Sequence, residues 1–272
     1  MRKGTAVVTG AAQGIGRAIS LRLAADGFDI ALNDIAAKKD QLEGVRDEIV
    51  RLGRKSCLFI ADVSVEDDVR AMFEGVDVMV ANAGICKGSA FLAVPRPRTS
   101  TRIDDWNRTF SINVPGTCLC YQYAARQMVA QGRGGRIIGA CSLAGKQGRA
   151  PNLSCYCASK FAVRGLTQAT ATELGVHGIT VNAYASGQFL SIAGDASLTE
   201  YTHAAQQAAS TPVRKHGQPE DVAVVVSYLA SEEASFKYRA NRNLTTNYES
   251  IHLTSDAHTF ATTNAAEVTP LW

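Results

Sequence analysis

"TAVVTGAAQGIGRAI", residues 5–19, is the stretch on which the fold turns. A β-branched run, Thr5 to Val8, passes directly into a turn carrying Gly10, Gly14 and Gly16, and then into a helical pattern. Glycines at a strand-to-helix junction permit a tight turn and let the backbone approach a pyrophosphate, while the free N–H groups of the helix start supply positive potential. Taken alone, such a turn is equally compatible with an ordinary loop, so the surrounding pattern has to decide.

Further short runs alternate with helical segments: "DIALN" (29–33), "CLFIADV" (57–63), "VDVMVAN" (76–82), "RIIGAC" (136–141) and "ITVNAYA" (179–185). This alternation predicts an α/β fold, a single doubly wound parallel sheet with helices on both faces, of Rossmann type. Leu42, Val45, Ile49 and Leu52 mark the apolar stripe of one crossover helix, ended by Gly53. A later helix begins at Pro219 and buries Val222, Val225, Val226 and Leu229. The crossover over 64–75 is short, since about ten helical residues rise only about 15 Å. One domain is predicted over 1–236. The tail, 237–272, turns rich in Thr and Asn, loses its periodicity and is expected to be poorly ordered.

Hydrophobic residues make up 46% of the 272, charged residues 19%, and the net charge is +3. That balance excludes a disordered chain and gives no basic footprint for nucleic acid. No window is long enough to span a bilayer, and the N-terminus lacks the pattern of a secretory signal, so a cytoplasmic location and no membrane partner are expected. Seven cysteines without paired zinc spacing read as reduced thiols. His177, His203 and His216 lack metal-ligand spacing as well, and no metal is expected. "VPRPRTSTR" (94–102) reads as a solvated loop.

Asp34 closes the second strand at the distance where a carboxylate meets a ribose hydroxyl, which strengthens the dinucleotide reading of the glycine turn. It would repel a 2′-phosphate, and the residue before Gly14 is the neutral Gln13, so NAD is favoured. Arg17, just after the turn, could reach a phosphate and keeps NADP open. Asp62 could accept a hydrogen bond from the adenine amine or act as a helix N-terminal carboxylate. In "SCYCASKFAV" (154–163), Tyr156 and Lys160 stand four apart, hence about 5–6 Å apart at Cβ on a helix. An ammonium so placed could stabilise a phenolate, although the spacing also occurs on ordinary helices.

The ordered set "TGAAQGIG", "ADV" (61–63), "ANAG" (81–84), "SIN" (111–113), "CSLAG" (141–145) and "YCASK" (156–160) resembles the short-chain dehydrogenase/reductase family from about Thr5 to Phe236. Stretches such as "ASKFAVRGLTQ" and "GQPEDVA" look like that family's NAD-linked reductases of small diketones and acyloins, diacetyl and acetoin among them. The resemblance implies an NAD(P)-dependent oxidoreductase of a small secondary alcohol and its ketone, assembled as a homo-oligomer; with the tail lacking the family's final-strand markers, the oligomer is expected to use mainly the helices carrying Asn113 and Tyr156. It makes Tyr156 the acid/base, Lys160 its activator and ribose ligand, Ser142 the carbonyl polariser and Asn113 the anchor of a water relay. Cofactor contacts are expected from Gly10, Gln13, Gly14, Ile15, Gly16, Asp34, Asp62, Asn82, Tyr156 and Lys160. The phenol, with an ordinary pKa of about 10, is expected to be lowered by the adjacent ammonium and by the charge of an oxidised nicotinamide.

Bland readings remain open for several of these. Asn82 could stabilise the sheet, Ser142 could be a strand-end turn residue, and Asn113 could lie in a core helix bent by Pro115. There are also departures from the family pattern. Ser142 and Tyr156 are one residue further apart than expected, Ser186 stands where Pro is usual, and the tail lacks the Thr-Gly and Asp-Gly-Gly markers of a final parallel strand. "YESIHLTS" (248–255) is the one candidate replacement, without which the sheet would keep an open edge. These departures motivate a rival reading, a catalytically weak or inactive nucleotide-binding paralogue. Substrate selectivity is expected in residues 187–211.

Overall fold

Alternation along the strands divides the core in two. In β1 (Thr5–Thr9), Ala6 and Val8 join one buried cluster and Val7 the other. The same period of two recurs in β2 (Asp29–Asp34), β4 (Val78–Ala81) and β5 (Gly135–Ser142), where Ile138 and Ala140 face the first layer and Ile137 the second. Runs of apolar residues rather than apolar/polar alternation are what a sheet covered on both faces requires. The computed structural model describes residues 3–73, 75–87, 102–148, 152–187, 217–235 and 251–253.

With β3 (Ser56–Ile60), β6 (Ile179–Ser186) and β7 (Ile251–Leu253), the strands form one sheet in the order β3-β2-β1-β4-β5-β6-β7, every adjacent pair parallel. Helices α1 (Gly14–Ala25), α2 (Lys39–Arg51) and α7 (Pro219–Ala230) cover one face. The other face carries α3 (Glu66–Arg70), α4 (Ile103–Asn113), α5 (Pro115–Gln131) and α6 (Ser154–Leu174). Strand order reverses between β1 and β4, which opens the crevice where sheets of this kind bind ligands at their carboxyl edge.

Local chemistry explains the helix ends. Pro219 opens α7 behind a capping box in which the Gln218 amide donates to Asp221 Oδ2 at 2.8 Å. Leu42, Val45 and Ile49 are buried along α2 as the stripe predicts, but Leu52 is 52% exposed. It lies one residue past the helix, where the chain has already begun to turn toward Gly53 at φ 77. Among the described residues of the 64–75 crossover only five are helical, half the expected length. The expected strand at 57–63 stops at Ile60, because the chain turns at Asp62, whose Oδ1 accepts both the Ser64 amide and the Ser64 hydroxyl. Pro115 breaks rather than bends its helix: Val114 separates α4 from α5, and Pro115 becomes the first residue of the new helix.

The candidate replacement strand does pair. Ile251, His252 and Leu253 run beside Tyr184, Ala185 and Ser186, so β6 is not an open edge at those residues. The remainder of the tail, and with it the expectation of poor order, lies outside the described residues, as do 188–211 of the expected selectivity segment and 94–101 of the proline-arginine stretch. Truncation after Phe236 removes the β6–β7 ladder. It is expected to lower unfolding stability by about 1–3 kcal/mol, a few net backbone hydrogen bonds, while a single cooperative transition remains. An unchanged thermal midpoint would show that β7 contributes nothing.

Candidate active site

The glycine turn is shaped by what its glycines lack. Gly10 (φ 64) and Gly14 (φ 53) hold left-handed conformations. A Cβ on Gly16 would collide with the carbonyl oxygen of Gly10 and stand 2.6 Å from Asn82 Nδ2, whereas one on Gly14 would meet nothing within 4 Å. The turn is therefore closed toward the protein and open above Gly14, a cradle suited to a pyrophosphate at a helix start. Gln13 is the residue before α1, and Ile15 lies in its first turn.

Asp34 sits beside this turn as expected. Its Oδ2 accepts the Ala12 amide at 3.0 Å and its Oδ1 the Ile35 amide at 2.9 Å, which fixes the carboxylate at the carboxyl end of β2 with acceptor capacity left over. Arg17 does not project to the turn, because it pairs with Glu48 at 2.6 Å. Lys38, which the sequence pattern did not single out, donates to Gln13 Oε1 at 3.1 Å and is the cation at the rim of the turn. Asp62 is engaged from several sides. Arg108 Nη2 reaches its Oδ2 at 3.1 Å. Partial burial would raise its carboxyl, but the Ser64 hydrogen bonds and Arg108 outweigh that and hold it below the usual carboxylate range.

Asn82 supports the sheet-stabilising alternative. Its Nδ2 donates to the carbonyls of Thr9 (2.8 Å) and Gly10 (3.2 Å), and its Oδ1 accepts the Tyr184 hydroxyl at 2.6 Å. Thr9 Oγ1 in turn accepts the amides of Asn82 and Ala83. The side chain thus lies beneath the glycine turn and spends its polar atoms on the protein.

On the other side of the crevice, Ser142, Tyr156, Lys160 and Asn113 converge. Ser142 ends β5, is 7% exposed, and its hydroxyl lies 3.4 Å from the Ser186 carbonyl while accepting the Ala144 amide at 3.2 Å. Ser186, in the place where Pro is usual, continues β6 and pairs with Ser142 in register. The loop with the extra residue ends in Asn152 at φ 76, a left-handed conformation that Asn tolerates better than other side chains, just ahead of α6.

Lys160, 4% exposed, donates to the Ala140 carbonyl at 2.8 Å, with its ammonium 5.6 Å from the centre of the Tyr156 ring. Burial pulls its pKa down to about 8, against the opposing influence of Cys141 and Cys86. The expected lowering of Tyr156 is not what the protein's own groups produce. Burial pushes the phenol up to about 12, outweighing a hydrogen bond with Ser142 that acts the other way. The site thus favours a protonated phenol, ready to donate.

Asn113 is fully buried at the break before Pro115. Its Oδ1 accepts the Ile85 amide at 2.9 Å, and its Nδ2 donates to the Ile85 carbonyl and, at 3.0 Å, to Ser159 Oγ. Ser159, also missed by the sequence reading, donates to the Tyr156 carbonyl at 2.7 Å and so ties Asn113 to the first turn of α6. Its place three residues after Tyr156, on the buried side of the helix, was the available signal. Among the described residues all seven cysteines are free thiols, no cluster of His, Cys, Asp and Glu is set to hold a metal, and no helix is long and apolar enough to cross a membrane.

Comparison with known proteins identifies the family. Residues 4–200 match the family pattern described as short chain dehydrogenase. The chain is 49% identical over 245 residues to a short-chain dehydrogenase/reductase of Armillaria gallica, covering 85% of this chain and 90% of that protein. It is 37% identical to the 3-oxoacyl-acyl-carrier-protein reductase of Staphylococcus aureus over 239 residues, 85% and 92% of the two chains. Among solved structures, acetoin dehydrogenase YohF from Salmonella typhimurium superposes with a TM-score of 0.73 at 33% identity, covering 87% of this chain and 91% of that one. The chain belongs to the short-chain dehydrogenase/reductase family, NAD(P)-dependent oxidoreductases acting on CH–OH and carbonyl groups.

With Tyr156 as the proton donor to a carbonyl, these two shifts predict a pH dependence for reduction. Tyr156, raised to about 12, keeps its proton through neutral pH, whereas Lys160, lowered to about 8, loses its charge as pH rises past that value. Reduction is expected to hold through pH 7 and to decline above about pH 8. Initial rates of NADH oxidation across pH 6–10, scored as a ratio at saturating cofactor, check this, and a rate that climbs steadily into alkali would contradict it.

Proposed function

We propose that the protein is an NAD(H)-dependent oxidoreductase interconverting a small secondary alcohol and its ketone, with diacetyl and acetoin as the first candidate substrates. The observation that carries this reading is the convergence of Ser142, Tyr156, Lys160 and Asn113 at the carboxyl edge of the sheet, facing the glycine cradle across the crevice. Likeness to acetoin dehydrogenase YohF supports the substrate class. The likeness to a 3-oxoacyl-acyl-carrier-protein reductase favours a second reading, in which the ketone is a 3-oxoacyl thioester.

In the proposed reaction the nicotinamide supplies the hydride. The hydroxyls of Ser142 and Tyr156 donate to the carbonyl oxygen, on which negative charge grows as reduction proceeds. Tyr156 then releases its proton to that oxygen, and runs in reverse as the base for alcohol oxidation. Lys160, protonated at neutral pH, stabilises the phenolate left behind and binds the nicotinamide ribose. Asn113 anchors the water relay that returns the proton. Gly10, Gln13, Gly14, Ile15 and Gly16 hold the pyrophosphate, Asp34 the adenosine ribose and Asp62 the adenine side. The enzyme works in the cytoplasm as a homo-oligomer joined mainly through α4 and α6, the helices carrying Asn113 and Tyr156.

Asp34 favours NAD, while Lys38 at the rim lessens its bias against a 2′-phosphate. Asp34→Ala is expected to weaken NADH binding by about tenfold and to narrow the preference over NADPH, since a ribose hydrogen bond and a repulsive charge both disappear. Fluorescence titration with both cofactors measures it, and equal binding of the two by the unmutated protein would count against the assignment. Tyr156→Phe is expected to reduce turnover of diacetyl by a factor on the order of 10² or more with NADH affinity nearly intact. Wild-type turnover in that variant would remove Tyr156 from the mechanism. NADH binding without turnover of diacetyl, simple ketones or 3-oxoacyl thioesters would favour the inactive paralogue instead.

A further inference from the structure

We propose that Tyr184 is a positioning residue for the cofactor turn, acting by donating its hydroxyl to Asn82 and so fixing the amide that holds Gly10. Its functional readout rests on the NAD(H) reading above; its structural readout does not.

Tyr184 lies in β6 on the face covered by α1 and α7, 2% exposed, between the small residues Ala183 and Ala185. Nothing local explains a phenol there. Its partner across the β5–β6 ladder is Ala140, in the same buried cluster, and a methyl at that point leaves room for a ring that must cross β5 to reach β4. At the far end the hydroxyl meets Asn82 Oδ1 at 2.6 Å, a short, partly buried hydrogen bond. Asn82 Nδ2 faces the carbonyls of Thr9 and Gly10. One continuous relay of hydrogen bonds therefore runs from β6 over β5 to the end of β4 and on to the glycine turn.

The hydroxyl matters because it settles which way the amide points. With Tyr184 donating to the oxygen, the two amide hydrogens are left for two carbonyls; turned over, Asn82 would set its oxygen against those carbonyls. Removing the donor leaves the half-buried Oδ1 without its protein partner, a state whose cost is relieved by rotating the side chain away from Gly10. Asn82 Nδ2 also stands 3.1 Å from where a Cβ on Gly10 would be, so its displacement opens space directly beneath the turn. Burial holds the phenol protonated well above its ordinary range, so the donor persists across working pH. The nearest comparison inside the molecule is Tyr121, equally buried, whose hydroxyl bonds Thr167 at 2.9 Å between α5 and α6 and touches no part of the turn.

Tyr184→Phe and Tyr121→Phe in the full-length chain separate positioning from plain stability. Tyr184→Phe is expected to raise the NADH dissociation constant about tenfold while kcat at saturating NADH stays within about twofold. Tyr121→Phe should lower the thermal midpoint comparably with NADH affinity unchanged. Because Tyr184 acts through Asn82, Asn82→Ala combined with Tyr184→Phe should lose no more affinity than Asn82→Ala alone. Unchanged NADH affinity in Tyr184→Phe, equal losses in both tyrosine variants, or additive losses in the double variant would each overturn the proposal. Exchange of the Asn82 side-chain amide protons, followed by NMR without cofactor, gives a second reading. They should be protected in the unmutated protein and exchange faster in Tyr184→Phe. Unprotected protons in the unmutated protein would overturn the proposal even if every variant failed to fold. Failure of the unmutated protein to bind NADH or NADPH would sink the functional reading instead, leaving the exchange measurement to decide the role of Tyr184.

Discussion

Helix α1 approaches the end of β1 so closely that no side chain fits at Gly16, and much of the site follows from that contact. A Cβ there would strike the Gly10 carbonyl and crowd Asn82 Nδ2. The close approach brings the first turn of α1 directly over the end of β1, with its free N–H groups toward the crevice where strand order reverses. It also seats α1 against α7, where Ser227 donates to Asp26 at 2.6 Å. Asn82 completes the contact from the opposite strand, so β1, β4 and α1 meet at one polar junction rather than at an apolar one.

Across the crevice the organising event is a missing N–H. Pro115 cannot donate to the helix behind it, and the chain divides at Val114 into α4 and α5. The break leaves Asn113 buried with its amide free to serve other elements, and it binds the backbone of Ile85 and the hydroxyl of Ser159. Gly84 is kept small by the same cluster, since a Cβ there would stand 3.1 Å from Asn113 Oδ1 and 3.3 Å from Lys160 Nζ. The lysine is buried on a single carbonyl, Ala140, with no carboxylate beside it among the described residues. An ammonium so desolvated gives up its proton more readily, while the phenol next to it holds on more tightly. In the protein itself the two shifts draw the pair away from phenolate and ammonium, toward neutral phenol and amine.

The parts of this architecture legible in the sequence are those governed by period or by a backbone requirement. Strand alternation, the three glycines of the turn, the proline break and the four-residue interval from Tyr156 to Lys160 are local properties, and each lies where the sequence implies. Tyr184, Lys38 and Ser159 act through partners 102, 25 and 46 residues away in the chain, and no local pattern announces such contacts. Leu52 and the shortened α3 illustrate a different limit. An apolar residue in step with a helical stripe is buried only if the helix still exists at that residue, and helix ends are set by turn chemistry at Gly53 and Asp62 that the stripe does not contain.

The tail strand bears on the site through the residues it covers. A parallel edge strand exposes the N–H and C=O groups of its outer side, and the stretch of β6 that β7 runs beside is Tyr184 to Ser186. Tyr184 donates to Asn82, which holds the glycine turn, and the carbonyl of Ser186 faces the Ser142 hydroxyl. The last strand of the sheet therefore lies against the segment of β6 from which both sides of the crevice are supported. A short alternation, Ile251 and Leu253, suffices for this because β6 already presents a fixed ladder and only a few backbone groups need a partner. Sequence divergence in the tail is then compatible with an intact site so long as some three-residue stretch closes that edge, which is a requirement on backbone pairing rather than on side-chain identity.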